Sequence, residues 1–188
     1  MKIILGSKSP RRKELLKQMG FSFEIYLLEV EEDIKDFSDP QDYVKKTALK
    51  KGNAISQIFP EDLVICADTI VVHNNCILEK PKNKQEAYEM IQDLQGDSHF
   101  VFTAVYLGLK DKTKVFIETT KVTIDSMNES EIEEYISTKE PYDKAGGYAI
   151  QGLFGRYVQK IEGDYYNVMG LPVNKLYREI KKLGFILK

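Results

Sequence analysis

The chain lacks several features that would assign it to a specialised class. Tryptophan is absent, and cysteine occurs only twice in 188 residues, as Cys66 and Cys76. Two cysteines cannot form the disulfide framework of a small secreted domain. Because Cys66 lies in an apolar run, we expect reduced thiols of a cytoplasmic protein, with a disulfide or a metal pair as the lesser alternative.

Long hydrophobic runs are also absent. The longest uninterrupted apolar stretch covers only residues 63–67, whereas a membrane-spanning helix needs about 20 apolar residues. No apolar segment precedes the first charges, so we expect no signal peptide. The formal net charge of -2 gives no general electrostatic reason for binding nucleic acid or an anionic membrane. Hydrophobic residues at 43% and charged residues at 30% are typical of a globular domain.

The first twenty residues contain the most informative local pattern. Residues 2–5 predict a buried strand, Ser9 can cap a following helix, and Pro10 suits its first turn. Arg11 and Arg12 then lie beside the free N–H groups and the positive end of the helix dipole. This arrangement favours binding of a polyanion such as a phosphate chain, although arginines at a helix start can also be merely solvated. No P-loop motif is present.

Charge is distributed unevenly after this start. Residues 1–20 contain six lysines or arginines against one glutamate, and residues 29–42 contain seven acids against one lysine. A basic segment followed by an acidic loop could hold a phosphate and a divalent cation. The alternative is that the acidic loop is an ordinary solvated surface without a bound ion.

The middle of the chain predicts a helix followed by a buried strand. Asp39-Pro40 is typical of a helix start, and Lys50 and Lys51 fall on adjacent faces of that helix. Residues 63–67 predict a buried strand with Asp68 and Thr69 at its C-terminal end, where open α/β sheets carry their chemistry. Residues 70–72 are expected to continue extended, up to a hairpin turn at Asn74-Asn75. Asp68 is either a turn former or a functional carboxylate.

The second half adds further elements of both kinds. Residues 98–109 and 114–124 predict a hairpin, residues 155–161 a strand, residues 163–170 a tight loop, and Pro172 a final helix. The glycine-rich segment 142–152 allows close backbone approach, and Gln151 offers an amide that can read a base edge. Strands that alternate with helices predict a mixed α/β sheet in two lobes with a groove between them.

Six motifs together resemble the Maf-type nucleoside triphosphate pyrophosphatases. They occur in the family's order over nearly the whole chain, at residues 5–16, 67–71, 79–81, 94–103, 145–152 and 163–172. The resemblance implies a single domain over residues 1–188, with an elongated, two-lobed α/β fold like that of the inosine triphosphate pyrophosphatases and a central groove. It also implies hydrolysis of a nucleoside triphosphate to the monophosphate and pyrophosphate. Arg11-Arg12 matches the branch that acts on dTTP and UTP.

The resemblance also implies roles for single residues. It assigns base specificity to Arg12, Thr69 and Gln151, and it assigns the role of proton acceptor to Asp68. The functional acid of the acidic loop matches Glu32, with Glu31 as the alternative register. Three departures from the family pattern occur at residues 6, 31–32 and 51–52: glycine stands where the family usually has alanine at positions 6 and 52, and a Glu-Glu pair replaces Asp-Glu.

The expected chemistry depends mainly on neutralising the negative charge of the triphosphate and of the leaving group. A divalent metal, Mg²⁺ or alternatively Mn²⁺, suits carboxylate ligands, for which we assign Glu32 and Asp68. Asp68 could instead, or in addition, activate the attacking water. We expect the triphosphate to be bound by Ser7, Arg12, Lys51 and Lys80. The alternative function is a nucleotide-binding regulator of septum formation without turnover. The resemblance suggests a homodimer, and neither nucleic acid nor a membrane is an expected partner.

Overall fold

The protein folds around a mixed β-sheet with flanking helices. In the computed structural model, the structure describes residues 1–29, 34 and 36–185, and these ranges contain seven strands and six α-helices. The strands are β1 (Ile3–Leu5), β2 (Glu24–Ile25), β3 (Leu63–His73), β4 (Cys76–Leu78), β5 (Ser98–Leu109), β6 (Lys112–Ile124) and β7 (Val158–Glu162). The helices are α1 (Pro10–Gln18), α2 (Pro40–Ile58), α3 (Lys84–Leu94), α4 (Glu129–Ile136), α5 (Tyr165–Met169) and α6 (Val173–Lys182).

The sheet combines parallel and antiparallel pairs. Its strand order is β2-β1-β3-β5-β6-β7, with β4 paired to β3 outside this path. Strand β1 runs parallel to both β2 and β3, and Leu5 pairs with Ile65. The β3–β4 and β6–β7 pairs are antiparallel. The predicted mixed α/β class is therefore confirmed.

Local capping signals fix the helix starts where the sequence predicts them. Ser9 precedes α1 and accepts a hydrogen bond from the backbone N–H of Arg12, at 3.4 Å. Asp39 precedes α2 and accepts one from the N–H of Asp42, at 2.9 Å. Both helices also carry proline in the first turn, where no intrahelical N–H is lost.

Three sequence predictions differ from the structure. Strand β3 continues to His73, so Asp68 lies within a long strand rather than at a strand end. The extended residues 70–72 and the hairpin turn at Asn74-Asn75 are confirmed, and both asparagines have positive φ. The difference is that the β-branched residues 70–72 join the preceding strand without a break at Asp68. The strand predicted at 155–161 starts only at Val158, because residues 153–157 form a 3₁₀ turn. The predicted loop at 163–170 contains the short helix α5.

The chain divides into two compact units. Unit 1 comprises Met1–Asp68, Thr103–Glu118 and Gly170–Lys188, and unit 2 comprises Thr69–Phe102 and Thr119–Met169. Unit 1 therefore contains α1, α2 and α6, and unit 2 contains α3, α4 and α5. Over the described ranges, the structure shows no helix whose length and apolar character would let it cross a membrane.

Helix α2 packs very closely on the sheet of unit 1. A core cluster there joins Ile55 of α2 to Ile4, Val64, Cys66 and Tyr106 of the strands. Gly52 faces the ring of Tyr106, and a Cβ at that position would lie only 2.1 Å from the nearest ring atom. The tyrosine hydroxyl is hydrogen-bonded to Ser56 Oγ one turn later, at 2.9 Å. The glycine thus makes room for a large, fixed side chain.

We expect Gly52→Ala to lower the free energy of unfolding by about 1–3 kcal/mol, the usual cost of overpacking a core. The sign is informative because alanine is otherwise the better helix former by about 1 kcal/mol. Urea unfolding of the variant and the parent measures the difference. Asn53→Ala, on the exposed neighbouring position, is the matched control and should not destabilise. A Gly52→Ala protein as stable as the parent would contradict the close packing.

Candidate functional site

The turn between β1 and α1 forms a rigid, hydrogen-bonded loop in unit 1. Ser7 is only 2% exposed, and its Oγ accepts hydrogen bonds from the N–H of Ser9 and from Arg12 Nη1, each at 3.2 Å. Just before it, the N–H of Gly6 donates to the carbonyl of Ile65, at 2.9 Å. The loop therefore continues the sheet directly into the first turn of α1.

Arg12 is oriented by two acceptors that lie far apart in the sequence. Its Nε donates to the carbonyl of Gly170 at 2.8 Å, and its Nη1 donates to Ser7 Oγ. Both acceptors are neutral, so these two bonds orient the guanidinium without neutralising its charge. An oriented guanidinium beside a helix N-terminus is a favourable arrangement for binding phosphate oxygens.

Lys51 and Asp68 occupy matching positions on α2 and β3. An ideal Cβ on Gly6 would lie 2.5 Å from Ile55 Cδ1 and 2.4 Å from Cys66 Sγ, so these two side chains meet at one point. Only residues 59–62 connect α2 to β3. Because such a short connection reverses the chain, we infer that the helix and the strand run in opposite directions.

From this meeting point, one helical turn back to Lys51 and two strand residues on to Asp68 each advance about 6 Å along the same direction. Residues i and i+2 of a strand share a face, and residues i and i−4 of a helix share a face. We therefore expect Lys51 and Asp68 on facing surfaces. Lys51 is half-buried whereas Lys50 is exposed. The assignment of Lys51 stays a prediction, and its position favours it over Lys50.

Two positively charged side chains lie close to the buried thiol of Cys66 in unit 1. Burial raises the pKa of the thiol to about 12, and the charges of Lys51 and Arg12 act in the opposite direction. Both cations are thus close enough to act on a side chain two residues before Asp68. Cys66 and Cys76 are both free thiols, as the sequence predicts.

Unit 2 holds the other predicted site residues. Thr69 is half-buried and follows Asp68 directly on β3, and Lys80 is exposed after β4. The neighbouring Glu79 accepts a hydrogen bond through its carbonyl from the N–H of Gly146, at 3.1 Å. Gly146 has a φ of +73°, and its backbone lies against the side chain of Val71. The glycine-rich segment that carries Gln151 is thereby attached to the strand hairpin that precedes Lys80.

His99 is hydrogen-bonded to the same glycine-rich segment. It is 1% exposed, and its Nε2 is hydrogen-bonded to the hydroxyl of Tyr148 at 2.7 Å. Burial lowers the pKa of the imidazole to about 3. The ring is therefore neutral throughout the physiological pH range, which suits a structural residue.

The predicted site residues separate into three groups. Ser7, Arg12, Lys51 and Asp68 belong to unit 1, where Ser7 and Arg12 are directly hydrogen-bonded. Thr69, Lys80 and Gln151 belong to unit 2. Glu32, and its alternative Glu31, lie outside the described residues. The supporting carbonyl of Gly170 was not predicted, because a backbone acceptor 158 positions away leaves no signal in the sequence.

The side chains near β3 can be compared with the ligands that a divalent cation requires. Across the residues described, no group of three or more His, Cys, Asp or Glu side chains forms a protein-only metal site. Mg²⁺ is commonly held by one or two carboxylates together with substrate phosphates and water. A single half-buried carboxylate at Asp68, among residues suited to phosphate, fits that mode of binding.

The pKa of His99 predicts a loss of stability in acid. Between pH 6.5 and about 3 the unfolded chain takes up a proton at His99 and the folded protein does not, so stability falls as pH falls. We expect this residue to lower the free energy of unfolding by about 2 kcal/mol between pH 7 and pH 5. Urea unfolding at both pH values measures it.

His99→Gln, which can still bond to Tyr148, should remove most of this difference. The second histidine of the chain offers the matched variant, His73→Gln, which should keep it. An equal pH dependence in His99→Gln and the parent would show that His99 is not the responsible group.

Comparison with known proteins identifies relatives that match nearly the whole chain. A dTTP/UTP pyrophosphatase of Bacillus anthracis is 51% identical over 183 residues, covering 97% of this chain and 96% of that protein. A dTTP/UTP pyrophosphatase of Bacillus cereus (strain AH820) is 50% identical with the same coverage. The structure of a HAM1 protein from Coxiella burnetii aligns over 97% of this chain and 99% of that one, with a TM-score of 0.50 and 13% identity, which shows a shared fold. The family described as "Maf-like protein" matches residues 2–183, and the chain belongs to this family.

Proposed function

We propose that the protein is a nucleoside triphosphate pyrophosphatase that hydrolyses dTTP and UTP to the nucleoside monophosphate and pyrophosphate. The observation that carries the proposal is Arg12, which Ser7 and the carbonyl of Gly170 orient at the N-terminus of α1. The names of relatives at 50–51% identity support the same reaction and the same bases. Modified pyrimidine triphosphates belong to the same substrate class.

The phosphate chain is bound by a group of donors in unit 1. The N–H groups at the start of α1, the guanidinium of Arg12 and the ammonium of Lys51 all suit negatively charged oxygens. As in the family, we assign Lys80 of unit 2 to the phosphates as well. Oriented donors of this kind stabilise charge that develops on the pyrophosphate leaving group.

Asp68 is assigned to the attacking water. A water oxygen forms a bond to the α-phosphorus while the bond between that phosphorus and the bridging oxygen to the β-phosphate breaks. The proton of the water passes to the Asp68 carboxylate, and the electron pair leaves with pyrophosphate. General-base assistance of this type contributes about 10²- to 10⁴-fold in rate.

A divalent cation is part of the proposal. Asp68 and Glu32 are the residues that would hold it, with Mg²⁺ as the expected ion and Mn²⁺ as the alternative, since both ions take oxygen ligands. When bound, the cation neutralises phosphate charge and polarises the reacting phosphoryl group. Whether Asp68 acts as ligand, as base or in both roles is separated by the pH dependence and metal dependence of its variants.

Selection of the base is assigned to Thr69 and Gln151 in unit 2, together with Arg12. The amide of Gln151 carries both a donor and an acceptor, and Gln151 is exposed. A donor and an acceptor held in one orientation can distinguish uracil or thymine from cytosine. The two kinds of base present opposite groups at N3 and at the substituent on C4: N3–H and O4 in uracil and thymine, N3 and N4–H in cytosine.

The decisive test is pyrophosphate release from dTTP, UTP, dCTP, dATP and GTP with Mg²⁺. We expect the parent to prefer dTTP and UTP, and Asp68→Asn to lose about 10²- to 10⁴-fold in kcat because the water loses its proton acceptor. Asp111→Asn, in the exposed β5–β6 turn of the same unit, is the matched control and should retain activity. A folded parent that binds nucleotide without releasing pyrophosphate would contradict the pyrophosphatase function. It would support the alternative function, a nucleotide-binding regulator of septum formation.

The same assay distinguishes the two adjacent lysines of α2. Lys51→Ala should lower kcat/KM by about 10²- to 10³-fold, the usual effect of removing one oriented electrostatic contact. Lys50→Ala, one position away and exposed, should leave the parameters close to those of the parent. The reverse order would move the phosphate contact to Lys50.

We also propose that the protein acts in the cytoplasm as a homodimer. The two free thiols suit a reducing compartment, and the family resemblance suggests the dimer. Light scattering distinguishes the 21.6 kDa chain from a particle of twice that mass. A monomer that is fully active at all concentrations tested would contradict the dimer.

A further inference from the structure

The turn that carries Gln151 is held by an acidic side chain that no motif or comparison assigns to a role. Glu140 lies between α4 and the glycine-rich segment. Its Oε2 accepts a hydrogen bond from the N–H of Leu153 at 2.9 Å, and its Oε1 accepts one from the N–H of Phe154 at 3.1 Å. One carboxylate thus binds two consecutive backbone amides immediately after the turn.

The same carboxylate is fixed from its other side. The hydroxyl of Tyr135 lies 3.2 Å from Glu140 Oε1 and 3.1 Å from the carbonyl oxygen of Gly147, and these two acceptors share its single proton. Tyr135 is only 1% exposed. Burial, followed by the nearby charge of Glu140, raises the pKa of the Tyr135 hydroxyl above its usual range, so the hydroxyl stays a donor. The carboxylate therefore has a defined position from which to hold the turn.

Gly152 is the point of closest approach. Its N–H donates to the carbonyl of Ala149 at 3.0 Å, which closes the turn around Gln151. A Cβ on Gly152 would lie 2.2 Å from Glu140 Oε2. Its φ of −103° lies outside the left-handed region that favours glycine. Space for the carboxylate, rather than conformation, is what requires glycine here.

Both flanks of the turn end in buried aromatic residues. Tyr148 before it and Phe154 after it are 5% and 0% exposed, and their ring centroids lie 4.9 Å apart. Phe154 also contacts the ring of Tyr135 at 4.9 Å. The ends of the segment are therefore fixed by packing, and the carboxylate fixes the backbone between Gln151 and Phe154.

We propose that Glu140 is a positioning residue for base selectivity: it holds the backbone after Gln151 so that the Gln151 amide meets the pyrimidine edge in one orientation. The proposal rests on the proposed function for the identity of the substrate. A site that reads hydrogen-bonding groups discriminates strongly only while its own donors and acceptors are held in place.

The test compares kinetic parameters for dTTP and dCTP in the parent, Glu140→Gln and Glu140→Ala. We expect KM for dTTP to rise and the dTTP/dCTP ratio of kcat/KM to fall about tenfold or more in Glu140→Ala, the equivalent of one misplaced hydrogen bond. The parameters for dCTP should change little, because dCTP does not use the Gln151 contact. Glu140→Gln should be intermediate, since the amide keeps the shape but offers one acceptor oxygen instead of two.

Two further variants separate positioning from general loss of structure. Glu134→Gln changes a nearby exposed carboxylate that pairs with Arg156 at 2.9 Å, and it should leave the ratio unchanged. Gly152→Ala should lower the ratio in the parent, because its methyl group displaces the carboxylate. In the Glu140→Ala background it should add nothing, since the carboxylate is gone. This non-additivity is the signature of one shared contact.

The outcomes decide the proposal. If kcat falls equally for both nucleotides at an unchanged ratio, Glu140 has only a structural role and the proposal is overturned, while the proposed function stands. The same ratio is measured as binding affinity with nucleotide analogues that carry a non-hydrolysable α–β linkage. This binding readout tests Glu140 even if the parent releases no pyrophosphate. A parent that neither hydrolyses nor binds the nucleotides overturns both the function and the positioning role.

Discussion

The close contact of α2 with β1 and β3 is the constraint on which the geometry of unit 1 depends. Gly6 and Gly52 are two positions in this unit at which a methyl group would collide with a neighbour, Cys66 in one case and Tyr106 in the other. The family resemblance places alanine at both positions. In this chain the glycine at residue 6 is therefore more than a harmless change in a turn, because Cys66 and Ile55 occupy the space that the methyl group would need.

This contact has a direct consequence for the chemistry. Helix α2 and strand β3 advance by nearly equal distances per turn and per residue pair, so the register fixed at Ile55 and Cys66 is carried forward to Lys51 and Asp68. A shift of the helix would move a cation relative to a carboxylate without altering either residue. Core packing and site geometry are therefore coupled in this unit. The effects of core substitutions and of site substitutions are not expected to be independent.

The sequence predicts what is determined locally. Capping residues and first-turn prolines indicate the starts of α1 and α2, and both are confirmed. The strand boundaries are less predictable, because the predicted extended residues 70–72 join β3 without a break at Asp68 and a 3₁₀ turn replaces the start of β7. The helix start indicates Arg12 as an anion-binding residue, the buried strand indicates Asp68 as a candidate carboxylate, and the family motifs add Ser7; these roles stay predictions. The support of Arg12 by Gly170, and of the Gln151 turn by Glu140, depends on backbone atoms, which carry no residue-specific signal.

The two groups of site residues are supported in the same physical way. In unit 1 a neutral carbonyl and a hydroxyl orient the Arg12 guanidinium, and in unit 2 a carboxylate orients the backbone beside Gln151. In each case the supporting group bonds to the main chain or comes from it, and main-chain atoms have fewer alternative positions than long side chains. A hydrogen bond to a charged group contributes about 1.5–3 kcal/mol, so the two bonds of Glu140 can fix a turn that its own short sequence would leave free. In the proposed positioning role, Glu140 affects selectivity without contacting the base, because the Gln151 amide can discriminate only while it is held in one orientation.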